Sequence, residues 1–184
     1  MPRIRVLKPN VTEEEARELF ASQNLWGGIG NLLYGELRSL ADFYIPFRIF
    51  QVEVLNRGET SRHILGLDSV TGSLDPYHFD QLPDLSELVM KETRNLLPVS
   101  LSEEDAQKFM VDKVRRLIFS QGFFRVRNFR ISAEPIPGEV YVPYWAGFRG
   151  RGGHAHVTVL DAMRRKMEGA RVRQMLRQWL TTVQ

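Results

Sequence analysis

The sequence predicts an α+β protein made of two pseudo-symmetric repeats, each a helix, a pair of antiparallel hairpin strands and a trailing helix. Three observations predict it. Helix-type and strand-type apolar patterns follow one another without a regular βαβ alternation, which favours antiparallel sheet. Four landmarks recur in the same order in both halves, as a duplication would leave them. Glycine-bearing tips separate strand-like runs in each half, where tight turns need positive φ.

The first landmark is a helix start. Thr12-Glu13-Glu14-Glu15-Ala16 matches Ser102-Glu103-Glu104-Asp105-Ala106, an offset of 90 (102 − 12). Thr12 and Glu15 form a capping box, Ser102 and Asp105 a looser one, and the clustered acids suit the positive end of a helix. The second is a helix stop, Ser22-Gln23-Asn24 against Ser120-Gln121-Gly122, an offset of 98 (120 − 22). Asn and Gly tolerate the left-handed conformation that ends helices, and the larger offset makes the second helix about two turns longer. The third pairs Tyr44-Ile45-Pro46-Phe47 with Tyr141-Val142-Pro143-Tyr144, and the fourth pairs Leu67-Asp68 with Leu160-Asp161. Each proline lacks an N–H, so it should mark a strand edge, start or bulge.

Between the last two landmarks lie the hairpins. Ile49–Leu55 leads through Asn56-Arg57-Gly58 to Ser61–Leu67, and Val142–Phe148 leads through Gly150-Arg151-Gly152-Gly153 to His154–Leu160. Trailing helices should follow. The first is signalled by the capping pair Asp84 and Glu87 with Leu85, Leu88, Val89 and Met90, ending before Pro98. The second runs from about Ala170, with Val172, Leu176, Trp179 and Val183 on one stripe. Leu74–Pro83 reads as a linker. Residues 1–98 thus form a first repeat and 99–184 a second, and a unit of this size would expose much of its apolar face alone, so the halves should depend on each other.

A strand that runs into Gly66-Leu67-Asp68-Ser69-Val70-Thr71-Gly72 after a helix and hairpin resembles the PepSY-type unit, over about a third of the chain. The second half keeps Asp161 but has Ala162-Met163-Arg164-Arg165 in place of the Thr-Gly. The resemblance implies a non-catalytic binding or regulatory module.

Composition narrows the chemistry. A chain of 184 residues, 43% hydrophobic and 26% charged, can build a core without staples. It has no cysteine, which removes disulfides, thiolate metal sites and cysteine nucleophiles. Met1–Asn10 lacks the apolar run of a signal peptide, and no uncharged run approaches a membrane span, so the expected setting is cytoplasmic with no membrane partner. Charge is uneven. Residues 1–100 carry ten Lys/Arg against fourteen Asp/Glu (−4) and residues 101–184 fifteen against eight (+7), together the +3 of the chain. That asymmetry favours homodimer formation or a charged partner.

Candidate ligand-binding residues cluster in the basic half. Tyr141, Tyr144, Trp145, Phe148, Arg149 and Arg151 precede the glycine-rich tip, and Arg164, Arg165, Lys166, Arg171, Arg173 and Arg177 follow it. Aromatic platforms with cationic rims hold single-stranded nucleic acid, although alternating aromatics also serve as core. His154 and His156, two apart on a strand, share a face and are weak metal candidates with no third ligand nearby. Gly150 to Ala155 fits the dinucleotide pattern G-x-G-x-x-A, but a strand-like run follows where that chemistry needs a helix. No G-x-S-x-G, H-E-x-x-H or P-loop motif occurs, and no cofactor is expected. The reading is a non-enzymatic binding or protein-interaction module. A nucleic-acid-binding protein using the second hairpin and last helix comes next, and a metal-dependent hydrolase through His154 and His156 third.

Overall fold

Helices begin where capping chemistry places them. In the computed structural model, which describes residues 1–22, 35–120, 122, 128–150 and 156–182, α1 spans Glu13–Ser22. The Thr12 amide donates to Glu15 Oε2 at 2.9 Å and the Glu15 amide to Thr12 Oγ1 at 3.3 Å, a complete capping box. Helix α2, Glu103–Ser120, starts with the Asp105 amide donating to Ser102 Oγ at 3.0 Å. With 18 residues against 10, it is eight residues longer than α1. Helix α3 is Ala170–Thr182.

Eight strands make one mixed sheet: β1 Arg3–Leu7, β2 Leu37–Asn56, β3 Glu59–Asp68, β4 Tyr77–Phe79, β5 Leu88–Glu92, β6 Arg130–Arg149, β7 His156–Asp161 and β8 Lys166–Met167. Their order is β4-β3-β2-β6-β1-β5, with β7 on β6 and β8 on β7. The first hairpin turns at Arg57 and Gly58, both at positive φ (58° and 86°), the twist that a two-residue connection requires. Its register runs from Asn56 opposite Glu59 to Phe47 opposite Asp68. The second pairs Arg149 with His156 through to Tyr144 with Asp161. Its tip, residues 151–155, lies outside the described residues, as do Gln23, Asn24, Gln121 and Val183.

This architecture corrects the two-repeat prediction. The strands do not form two helix-plus-hairpin units with their own trailing helices, because all eight share one sheet and the first trailing helix does not form. The capping residues there do bond reciprocally, the Asp84 amide to Glu87 Oε2 at 3.1 Å and the Glu87 amide to Asp84 Oδ1 at 3.3 Å. They close only a turn. The apolar residues after it enter β5, and the Thr93 amide donates to Pro2 O at 3.2 Å. Sheet hydrogen bonding overrides a local signal too short to sustain an isolated helix. Within Leu74–Pro83, read as a linker, β4 pairs with β3 and buries Phe79.

The chain divides into two compact units that interleave along the sequence. One comprises Met1–Tyr44, Val89–Leu97 and Val142–Gln184, the other Ile45–Leu88 and Pro98–Tyr141. In the first, Val11, Ala16 and Phe20 of the α1 segment pack with Leu160 and Ala162, and Trp145 and Leu37 lie against them. Gly147 makes room for this: a Cβ there would meet Leu37 at 3.0 Å and the Phe20 ring at 3.2 Å. In the second, Ala106, Met110 and Val114 of α2 cover Phe50, Val52 and Val54 of β2 and Leu65 and Leu67 of β3. The buried residues of each helix are spaced four apart, Ala16 and Phe20 on α1 and Ala106, Met110 and Val114 on α2, so each presents one apolar stripe.

Candidate functional site

The matched landmarks turn out to be one local device used twice. Pro46 and Pro143 each sit one residue before a hairpin register begins. Their carbonyls accept the amides that follow the paired aspartates, Ser69 to Pro46 at 2.8 Å and Ala162 to Pro143 at 3.1 Å. Both aspartates are fully buried. Asp68 is saturated: Oδ1 accepts the Thr71 and Gly72 amides at 2.8 and 2.9 Å, and Oδ2 accepts the Leu74 amide at 2.9 Å. Asp161 is half-satisfied. Its Oδ1 accepts the Met163 and Arg164 amides at 2.8 and 2.9 Å, while Oδ2 is buried without a hydrogen bond and lies 4.0 Å from Arg164 Nε. Burial outweighs these partners and holds the Asp161 carboxyl above its ordinary range; burial and then the charge of Asp161 raise Glu168 likewise.

The described aromatic candidates are buried or half-buried on β6. Tyr144 is buried and stacks on Phe43, with centroids 5.4 Å apart. Trp145 is half-buried and donates its indole N–H to Val11 O at 3.1 Å. Tyr141 and Phe148 are half-buried on β6, and burial followed by the Glu139 charge raises the Tyr141 hydroxyl. Arg149, only 6% exposed, reaches the last turn of α1 and donates to Phe20 O at 2.5 Å and to Gly35 O at 3.3 Å. There a cation satisfies carbonyls that a helix end leaves unpaired. Arg164 and Arg165 meet Asp161 and Glu15 in the β7–β8 turn. Arg151 and His154 lie outside the described residues.

What β6, β7 and α3 do bring together is positive charge. Arg149 stands opposite His156 in the register, and α3 packs on β7 through buried Val172, Met175 and Leu176. Arg173 and Arg177, one turn apart, flank that buried stripe. Burial first, then the charges of Arg173, Arg177 and Arg149, hold the His156 imidazole below its ordinary value. The same charges oppose a metal cation at His156. Among the described residues no three His, Cys, Asp or Glu side chains converge as a ligand set.

Two further polar groupings escaped the sequence reading. Asp42 Oδ2 accepts Tyr44 Oη–H at 2.6 Å and Lys91 Nζ at 2.5 Å, and Asn95 Nδ2 donates to the Asp42 carbonyl at 3.0 Å. Lys91 also lies 5.0 Å from the Tyr44 ring centroid. Although burial pushes the other way, these bonds together hold the Asp42 carboxyl below its ordinary range, while burial and then Asp42 push the Tyr44 hydroxyl up. Lys91 and Asn95 come from a segment about fifty residues away, so only the fold reveals the group. On β3 and β4, His63 and His78 meet edge to face at 6.0 Å beside an open depression of about 370 Å³ that Gln51, Arg62 and Asp80 also line. The His63 ring also hydrogen-bonds Ser61 Oγ at 3.2 Å.

Comparison of the chain with protein-family models, characterised proteins and solved structures finds no match.

Proposed function

We propose that this chain is a non-enzymatic binding module whose anionic partner seats on the cationic face of β7 and α3. The observation that carries the reading is that the charges of Arg149, Arg173 and Arg177 all act on His156, while among the described residues Arg173 and Arg177 make no ion pair. Elsewhere arginines take acidic partners: Arg17 with Glu13, Arg48 with Glu139, Arg62 with Glu53, Arg115 with Asp112. Like charges gathered on one face favour an anionic ligand there.

The same face favours nucleic acid as a second reading, since it lies on the second hairpin and the last helix. With Tyr144 and Trp145 committed to packing, such binding would rest on phosphate contacts rather than base stacking. Size-exclusion chromatography with light scattering, read at 260 and 280 nm at low and high salt, tests both. Nucleic acid that co-elutes at low salt and is stripped at high salt supports the nucleic-acid reading. A clean elution, and no retention on an immobilised polyanion, removes the cationic-face reading. The run also reads self-association, which the opposite charges of the two sequence halves favour.

A further inference from the structure

We propose that His63 and His78 form a two-imidazole site for a divalent late transition metal (copper, nickel or zinc) where β4 borders β3. Both strands lie within one compact unit, Ile45–Leu88 with Pro98–Tyr141. The register sets Leu65 of β3 opposite His78 of β4. His63, two residues before Leu65, therefore shares a face with His78 and stands diagonal to it, within reach of long side chains. Their rings meet with centroids 6.0 Å apart, beside the depression of about 370 Å³ that both help to line. Two imidazoles on one tetrahedral ion, at metal–nitrogen bonds of about 2.0–2.1 Å, bring their centroids to about 5 Å. The His78 side chain is 58% exposed, so a turn about its side-chain torsions covers that difference.

Each ring has one nitrogen already directed. His63 Nε2 lies 3.2 Å from Ser61 Oγ, and His78 Nδ1 lies 3.9 Å from Asp80 Oδ1. A proton held on those two atoms leaves Nδ1 of His63 and Nε2 of His78 bare, and a metal takes the bare nitrogen of a neutral imidazole. Outer partners of this kind fix the tautomer of metal-binding histidines and raise their basicity. The local charge agrees. Arg62, which lines the depression, is paired with Glu53 at 2.6 Å, and Asp80 adds a carboxylate. Among the described residues no third ligand side chain converges here, so water fills the remaining positions of the ion, as in an open site. Imidazole nitrogen selects copper, nickel and zinc, with copper held tightest, while magnesium and calcium prefer oxygen.

The test is calorimetric titration of the untagged protein with Cu²⁺, Ni²⁺ and Zn²⁺ in turn, in a buffer that does not chelate them. NMR follows the imidazole resonances during the nickel titration. Saturable uptake of one ion per chain in the micromolar range is expected, with the His63 and His78 signals broadened before those of other histidines. His63→Gln and His78→Gln should each weaken binding at least about tenfold, while His156→Gln and excess Mg²⁺ should leave it unchanged. The broadening pattern is read on the wild-type chain, so it stands even if a variant folds poorly. No saturable uptake of any of the three ions overturns the proposal. So does broadening that begins at other histidines, binding that survives His63→Gln combined with His78→Gln, or binding that Mg²⁺ displaces. None of these readouts involves the cationic face of β7 and α3, so that reading stands or falls separately.

Discussion

Asp68 and Asp161 occupy the same position after matched prolines, yet their two carboxylates should respond in opposite ways to the same substitution. In Asp68→Asn the new amide N–H2 would face the Leu74 N–H that Oδ2 now accepts. A donor against a donor in a buried turn should cost about 2–3 kcal/mol. Asp161→Asn keeps an oxygen for the Met163 and Arg164 amides and replaces an atom that accepts no hydrogen bond. Its cost should stay under about 1 kcal/mol. The pH dependence separates them further. Because the Asp161 carboxyl is raised in the folded state, its contribution is complete below the unfolded value and is lost as pH rises through the folded one. Asp161→Asn should therefore gain stability relative to wild type between pH 4.5 and 7 in urea unfolding. A constant difference across that range would refute the assignment. The pairing of these residues was legible from Leu67-Asp68 and Leu160-Asp161. Their unequal satisfaction was not, because it depends on whether one more backbone amide, that of Leu74, reaches the second oxygen.

At the scale of elements, local chemistry read from the sequence came through wherever partners lie within a few residues. Thr12 with Glu15, the Arg57–Gly58 turn and the apolar stripe of α3 are of this kind. The segment after Asp84 shows where such reading stops. Its capping bonds form, but the residues that follow join β5, since β1 offers backbone partners some eighty positions upstream that no local window contains. Lys91 and Asn95 then fasten β5 and its continuation to Asp42. Their side chains are partly exposed, so the Asp42–Lys91 coupling should be modest. A double-mutant cycle with Asp42→Ala and Lys91→Ala should give about 0.5–1 kcal/mol, shrinking in high salt. A coupling near zero at low salt would mean that β5 is held by strand pairing alone. The candidate site was half legible in the same sense. Arg149, Arg173, Arg177 and His156 were visible as basic residues and a histidine, but the β6–β7 register and the seating of α3 decide that they converge. Tyr144 and Trp145, whose aromatic character suggested a platform, serve the core instead.

On the scale of the whole molecule, the matched landmarks mark repeated devices rather than self-contained repeats. Strand β2 contributes Leu37–Tyr44 to one compact unit and Ile45–Asn56 to the other, and β6 is divided likewise at Tyr141 and Val142. Helix α2 finds its apolar cover on β2 and β3, and the α1 segment finds its cover on residues of β6, β7 and the turn after β7. Residues 1–98 alone would leave the Phe50, Val52 and Leu65 face without α2. Residues 99–184 alone would leave Leu160 and Ala162 without Phe20. Each fragment should therefore lack cooperative thermal unfolding, and mixing the two should restore it. A cooperative transition in either fragment by itself would contradict this partition.

The most direct test of the central claim, that β7 and α3 present an anion-binding face, is the salt dependence of binding to a fluorescent single-stranded oligonucleotide, compared between wild type and Arg173→Gln/Arg177→Gln. Each phosphate contact contributes a slope of about −0.7 in log affinity against log salt for single strands. Losing two arginines should flatten the slope by about 1.4 and weaken binding at low salt by tenfold or more. Equal affinities and equal slopes for the two proteins would place any binding elsewhere on the chain and contradict the account.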